Sequence, residues 1–536
     1  MGATKSSFAR HLTALALAVL SAGYYALYID AGFNFADDGN YAQTAYELFL
    51  GRPPQDMDLS YGLIWFKAGA ALFHLFGVNF LLVKILFFTV ITLTSVLTFY
   101  TLEKISGSAL FAAALAGVIA VAPAFPATSF YGLCVLLNAG AQMRLAARMT
   151  QGTVLDGALA GAALAFSFQI RPDFGFIFAV PLAAIVLLTF WPVNLGRKLL
   201  TGILGGFAGV AIPAALLALV GGYGALVAHQ YVDYPLMLIG LLLNGLKGLG
   251  QDAEAGATIT VLARPGLDEP ALAALVYAPL IMFAAFGTFA ALTFKSRLRR
   301  DPAALAQSGI ALVAGAAAFP HYFFFRPDLS HIANFMPGFV VMTGVFLTHL
   351  KQASWRPRAV AAGGGVAVAY LGLYLGVGLP SPATGSIGMA RGRTEPFRAE
   401  NGVDVKVAPA ELEQLTFLRD SVTANSQPGD AIVCVPYCPG VAFMTARRML
   451  LHNFYVDDSF LVLRPRWLPS AIAETKVARP SVAIVQDWAI NGTEQSRFTN
   501  WAARYVDVLK DQARAQVSGP GTTIYLRGPA NTPGPQ

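Results

Sequence analysis

The chain has 536 residues, 56% of them hydrophobic and only 12% charged, and its mean hydropathy is +0.56. Repeated apolar runs of about 20 residues in such a chain specify a polytopic helical membrane protein, because a helix satisfies its own backbone inside a bilayer core. The net charge of +7 does not mark a nucleic-acid binder, since Lys and Arg fall in short clusters between apolar runs, as positive-inside anchoring requires; three cysteines are too few for a disulfide framework.

The first apolar run, Leu12 to Ile29, follows Lys5, Arg10 and His11 and has no clear small-x-small cleavage site. It reads as a retained span with a cytoplasmic N-terminus. The loop after it is then external. Residues 30–62, DAGFNFADDGNYAQTAYELFLGRPPQDMDLSYG, hold five aspartates: Asp30, Asp37, Asp38, Asp56 and Asp58. Such a density, in a chain with half the usual ~25% charge, admits two readings. The loop is a solvated one kept away from anionic lipid, or it is an acid/base or cation site at the membrane surface.

Apolar runs 61–77 and 80–101 follow, separated only by Gly77-Val78-Asn79. If both crossed, the basic clusters Arg144/Arg148, Arg197/Lys198, Lys295 to Arg300 and Lys351/Arg356/Arg358 would all lie outside. If residues 59–78 lie in the outer interface, every cluster moves inside. Trp65, Lys67 and His74 within that run suit an interfacial helix. The expected spans are then 12–29, 80–101, 108–123, 130–147, 154–170, 174–191, 200–220, 271–294, 304–320, 332–350 and 359–378. The fold class is an all-α polytopic membrane domain of about 11 transmembrane helices, with juxtamembrane helices in the first external loop and a small C-terminal periplasmic α/β domain.

Residues 1–379 form the membrane domain in this reading. Residues 380–408, rich in Gly, Pro and Arg, read as a linker. From 409 to 536, strands expected over 430–436, 481–487 and 522–527 alternate with helices over 410–425, from Pro439, near 469–477 and over 497–513. That pattern predicts an α/β domain of about 130 residues with its own core.

The membrane-depth charges gather at the outer face. Arg171-Pro172-Asp173 and Arg326-Pro327-Asp328 stand at the outer ends of two different spans, and the second triplet is flanked by His321 and His331. Ionisable groups there are candidates for function. The plainer alternative is that each Arg and Asp pair locally and cap helix ends, with Pro opening the next helix. Arg suits a phosphate by bidentate, charge-assisted contact. Loop 221–270 adds His229, Tyr231, Asp233, Tyr234, Lys247 and Arg264; it is either a cover for a lipid-linked substrate or an interfacial loop packing helix ends. Cys434 and Cys438 fit neither zinc nor thioredoxin spacing and read as a buried free pair, with a local disulfide as the alternative in an oxidising compartment. Cys134 lies in a span and reads as packing. Asn491-Gly492-Thr493 matches a glycosylation acceptor, a weak motif.

The residues Asp37-Asp38-Gly-Asn-Tyr41, the helix running to Leu50-Gly51, and Asp58-Leu-Ser-Tyr61-Gly62 leading into Leu75-Phe76-Gly77 resemble the GT-C superfamily of integral-membrane glycosyltransferases. Within it the chain looks like the bacterial branch of lipid A aminoarabinose transferases, rhizobial galacturonosyltransferases and protein O-mannosyltransferase-like enzymes. The resemblance covers residues 10–200 best and implies an inverting transfer from a polyprenyl-phosphate sugar donor to an envelope lipid, glycan or protein acceptor. It places the catalytic carboxylate at Asp37 and its partner at Asp38, where the family more often has Glu. Inverting transfer needs a carboxylate for the acceptor hydroxyl and cations for the departing lipid phosphate. The expected site is therefore Asp37 as base with Asp38 assisting or holding Mg²⁺ or Mn²⁺. Arg171, Arg326, His331 and His321 take the donor phosphate, and Tyr41, Asp58, Tyr61, Asp173 and Asp328 contact substrate. The implied location is a bacterial inner membrane with the C-terminal domain in the periplasm. Two rival classes are a lipid or polysaccharide transporter, which would place its charges nearer the midplane, and a non-catalytic assembly subunit.

Overall fold

The computed structural model describes residues 2–57, 59, 61–121, 126–148, 151–189, 193–220, 269–297, 302–320, 323, 328–352, 357–382, 385–458, 460–490 and 494–527. Asp58, His321, Arg326, the named polar residues of loop 221–270 and the Asn491–Thr493 triplet lie outside the described residues. The chain forms two compact units. One holds residues 1–28, 87–221 and 264–389, and the other holds 29–86, 222–263 and 390–536.

The helices in chain order are α1 Gly2–Ala26, α2 Asp37–Phe49, α3 Leu63–Phe76, α4 Phe80–Ser106, α5 Ala109–Val121, α6 Phe130–Ala147, α7 Val154–Ile170, α8 Pro172–Thr189, α9 Val193–Val220, α10 Pro270–Arg297, α11 Pro302–Ala316, α12 Leu329–Gln352 and α13 Pro357–Gly378. Every expected span falls on one of them. By length and apolarity, five stretches among the described residues can cross a bilayer, within α4, α9, α10, α12 and α13. Several others are apolar but shorter. α3 is one of these: its 14 residues reach about 21 Å, short of a ~30 Å core. It belongs to the second unit, where it buries Trp65, Phe66 and Phe73 and leaves Leu75 and Phe76 exposed.

In the first unit α7 and α9 pack backbone to backbone. A Cβ on Gly161 would meet the Ile203 carbonyl oxygen at 2.0 Å, and one on Gly206 the Ala158 carbonyl at 2.0 Å. Gly157 and Gly202 make the same approach one turn away. Helices in lipid gain nothing from apolar burial against each other, so small residues at i and i+4 supply the contact. Polar clusters stand at the two ends of α6. At its C-terminal end Arg144 and Arg148 reach the fully buried Asp156, which also caps α7 through Thr153. At its N-terminal end are Tyr131 and the Arg171 group described below.

A helix α14 (Ser386–Gly392) and, in the second unit, an antiparallel hairpin, β1 (Glu395–Ala399) with β2 (Val403–Val407), occupy the stretch whose composition predicts a linker. β2 alternates buried Val403, Val405 and Val407 with exposed Asp404 and Lys406, a period of two inside Gly- and Arg-rich sequence. A mixed five-stranded sheet has the order β4-β3-β5-β7-β6, with β3 Ala431–Val435, β4 Arg448–Met449, β5 Val482–Gln486, β6 Ala515–Gly519 and β7 Thr522–Leu526. The two-residue β4 and the exposed edge strand β6 have no counterpart among the strands expected from sequence. The helices here are α15 Pro409–Asn425, α16 Pro439–Met444, α17 Trp467–Ala478, α18 Phe498–Trp501 and α19 Ala503–Gln512. The helix expected over 497–513 is thus two, parted at Ala502, which leaves helical geometry at φ −111°, ψ 28°. Val433, Val485, Trp467, Phe498 and Tyr505 centre the core over the sheet.

The Asp-rich loop belongs to this same unit. Gly32 donates to the Lys406 carbonyl (2.7 Å) and Lys406 to the Asp30 carbonyl (2.7 Å), so residues 30–32 extend the hairpin. Lys406 also pairs with the Asp30 carboxylate at 2.9 Å. Cys434 and Cys438 are joined by a disulfide, against the free pair favoured above. The reason is local: the end of β3 and the start of α16 bring their Cα atoms to 5.5 Å, inside the range a disulfide needs.

Candidate active site

Asp37 and Asp38 open α2, where the unpaired amides and dipole of a helix N-terminus favour negative charge. The Asn34 side chain fixes the entry: its Oδ1 accepts from the Ala36 and Asp37 amides at 2.9 and 3.2 Å. Its Nδ2 donates to Asp37 Oδ2 at 3.2 Å. The other Asp37 oxygen accepts from the Tyr437 hydroxyl at 3.0 Å. Burial, and then the Asp37 charge, hold the Tyr437 phenol well above its usual range, so it stays a donor.

The neighbouring carboxylate has a different environment. Asp38 is buried, and its Oδ2 lies 3.2 Å from the Lys84 ammonium, also buried, at the start of α4. Lys84 Nζ also reaches the Ala31 carbonyl at 3.5 Å. An ion pair so enclosed holds both charges in place and neutralises Asp38. The two acids therefore differ in setting: Asp38 is buried against the Lys84 ammonium, while Asp37 is half-buried with Asn34 and Tyr437 donating to its two oxygens.

The rest of α2 is anchored on the C-terminal strands and α16. Glu47, fully buried, accepts from the Met449 amide (2.8 Å) and from Arg448 Nε (3.1 Å), and Gln43 donates to the Arg447 carbonyl (3.1 Å). A Cβ on Gly39 would stand 2.4 Å from Gly440 Cα, so only glycine allows α2 and α16 to approach this closely. Of the expected substrate contacts, Tyr41 is buried and its hydroxyl donates to the Trp65 carbonyl at 2.6 Å, which assigns it to the α2–α3 packing. Tyr61 is partly buried, its ring stacked near Phe66.

In the first unit, Arg171 ends α7 and Pro172 opens α8. Arg171 is buried. Its Nε donates to both Asp173 carboxylate oxygens at 2.8 and 2.9 Å, and its guanidinium lies 4.1 Å from the Tyr131 ring centroid. Asp328 caps α12: its Oδ1 accepts from the His331 amide at 2.9 Å and its carboxylate holds His331 Nδ1 at 2.8 Å. One turn further, Asn334 accepts from Thr128 at 2.8 Å. Arg171 of the first triplet thus meets Tyr131, and Asn334, one turn beyond His331, meets Thr128, both at the α6 N-terminal end. Arg171 and Asp173 make a local pair, and Asp328 makes a helix cap.

Among the described residues no three His, Cys, Asp or Glu side chains gather as a metal site. A divalent cation on Asp37 and Asp38 would compete with Lys84 for Asp38 Oδ2. Residues that sequence reasoning missed are Lys84, Tyr437, Asn34 and Glu47. Lys84 had a signal, a lone lysine in the run FLLVKILFF. Tyr437 had none, since its partner lies 400 residues away.

No protein-family model and no curated protein sequence matches the chain. Among solved structures it is similar to the oligosaccharyltransferase of Archaeoglobus fulgidus in its apo form, with 12% identity, a TM-score of 0.49, and coverage of 97% of this chain and 75% of the other. It is similar also to the AglB oligosaccharyltransferase of that organism in complex with an inhibitory peptide and dolichol-phosphate, with 12% identity, a TM-score of 0.49, and coverage of 98% and 75%. A third is ArnT from Cupriavidus metallidurans bound to undecaprenyl phosphate, with 14% identity, a TM-score of 0.48, and full coverage of both chains. At these identities and TM-scores the likeness carries neither fold nor activity across.

Proposed function

We propose that the chain is an inverting glycosyltransferase of the GT-C type, with about eleven crossings and its Asp-rich loop and C-terminal region outside a bacterial inner membrane. It moves a sugar from a polyprenyl-phosphate donor to an envelope lipid, glycan or protein. The observation that carries this is the division of labour between the two acids. Asp38 is paired with the buried Lys84, and Asp37, held at the α2 N-terminus by Asn34 and Tyr437, is the base for the acceptor hydroxyl. As the hydroxyl oxygen attacks the anomeric carbon, Asp37 takes its proton and the bond to the lipid phosphate breaks. Arg171, Arg326, His331 and His321 stabilise the phosphate that leaves. Asp173 and Asp328 hold Arg171 and His331 in orientation, and Asp58 and Tyr61 contact substrate. The disulfide supports an oxidising compartment for the C-terminal region.

The test is the purified protein in lipid vesicles, with polyprenyl phosphate carrying a radiolabelled pentose, hexose or uronic acid and with lipid, glycan and peptide acceptors. Asp37→Asn should lower transfer by about 10²–10⁴-fold, the share of a positioned general base. Near-normal turnover would remove the base assignment. Movement of label across the bilayer without transfer would instead make the protein a transporter.

A further inference from the structure

We propose that Tyr437, presented by the ring that the Cys434–Cys438 disulfide closes, is a positioning residue that fixes the Asp37 carboxylate for reaction. This rests on Asp37 as the base. Two neutral donors hold that carboxylate, one on each oxygen: Asn34 from its own loop and Tyr437 from the C-terminal region. The Tyr437 bond reaches the oxygen that Asn34 does not, and so helps set the plane of the carboxylate that faces an incoming hydroxyl. The Tyr437 phenol is held in turn by edge-on packing of the Tyr455 ring, centroids 4.9 Å apart, and Tyr455 is tied to Asp457 at 2.5 Å.

The disulfide is placed to hold this donor. Only Val435, Pro436 and Tyr437 lie between its cysteines, both of them fully buried. One cysteine belongs to β3, which is fixed by pairing with β5 in the register Cys434 to Ile484. The other caps α16, whose Gly440 amide donates to the Phe35 carbonyl at 2.8 Å. The ring thus runs from the sheet to the loop that carries Asp37, and Tyr437 sits within it. Two of the three cysteines in the chain are spent on this one closure. Burial, and then the Asp37 charge, raise the phenol pKa and keep Tyr437 a donor.

The experiment uses the full chain in the vesicle assay above. Tyr437→Phe is expected to lower kcat about ten- to a hundredfold, the scale of one lost hydrogen bond to a charged group. KM for donor and acceptor and the melting temperature should stay unchanged. Cys434→Ala with Cys438→Ala should lower kcat in the same way, and adding Tyr437→Phe to that pair should lower it no further. A normal kcat for Tyr437→Phe overturns the proposal, as does a loss of kcat that tracks a fall in melting temperature. Full additivity of the cysteine and tyrosine changes overturns the role of the ring. If Asp37→Asn is inactive while Tyr437→Phe is normal, only this inference fails; if Asp37→Asn is active, the underlying reading fails first.

Discussion

Asp38 and Lys84 are a pair in which neither member is replaceable alone. Lys84→Met would leave a carboxylate buried without its counter-charge, a cost of about 3–5 kcal/mol, and Asp38→Asn would strand the ammonium in the same way. The double change removes both charges. We expect each single variant to melt well below the parent and the double variant to recover most of the loss, as a thermal double-mutant cycle would record. A recovery of less than half would mean the two do not act as a pair. The same ammonium bears on metal dependence. Because Lys84 already neutralises Asp38, exhaustive chelation is expected to leave transfer unchanged, and a loss restored by Mg²⁺ or Mn²⁺ would show that the cation displaces Lys84. The sequence distinguishes Asp37 and Asp38 only through resemblance. Their different environments are set by Lys84 and Tyr437, and the second of these is not signalled by any local pattern.

Among the elements, the helices of the first unit were legible because an apolar run of span length has few other ways to satisfy its backbone. The α7–α9 seam went unread: Gly157, Gly161, Gly202 and Gly206 stand four apart in each helix, but that spacing alone does not say which helices meet. Gly161→Leu would drive a side chain into the Ile203 backbone. It should destabilise the helical unit by about 1–3 kcal/mol, read as a lowered melting temperature with the C-terminal sheet intact; an unchanged melt would mean that the seam yields. The hairpin β1–β2 was illegible for the opposite reason. Its buried valines are interspersed with charges within a Gly- and Arg-rich stretch, and the pattern shows only once residues 30–32 are known to pair beside it.

At the scale of the whole molecule, the C-terminal region does build its own core, but its surface also completes the first loop. Glu47, Gln43 and Gly39 of α2 find their partners at Met449, Arg447 and Gly440. Deleting residues 390–536 should therefore abolish transfer and leave the first loop open to protease, whereas a domain that only recruits a partner would leave the loop protected. Limited proteolysis of the truncated protein in vesicles separates the two. Expecting a self-contained appendage was natural from sequence, because contacts spanning some 400 positions leave no periodic trace.

The join between residues 30–49 and 431–449 also orders the protein's manufacture. When Asp37 emerges from the ribosome, the chain that will carry Tyr437 does not yet exist, and 400 positions remain to be translated. At about 5–20 residues per second this is an interval of about 20–80 s. During that time the acidic loop waits with the buried face of α2 uncovered and its Glu47 without the Met449 and Arg448 partners. A fragment that stops short of the cysteine ring lacks the Tyr437 donor, so the surroundings of Asp37 are completed only after most of the molecule has been made.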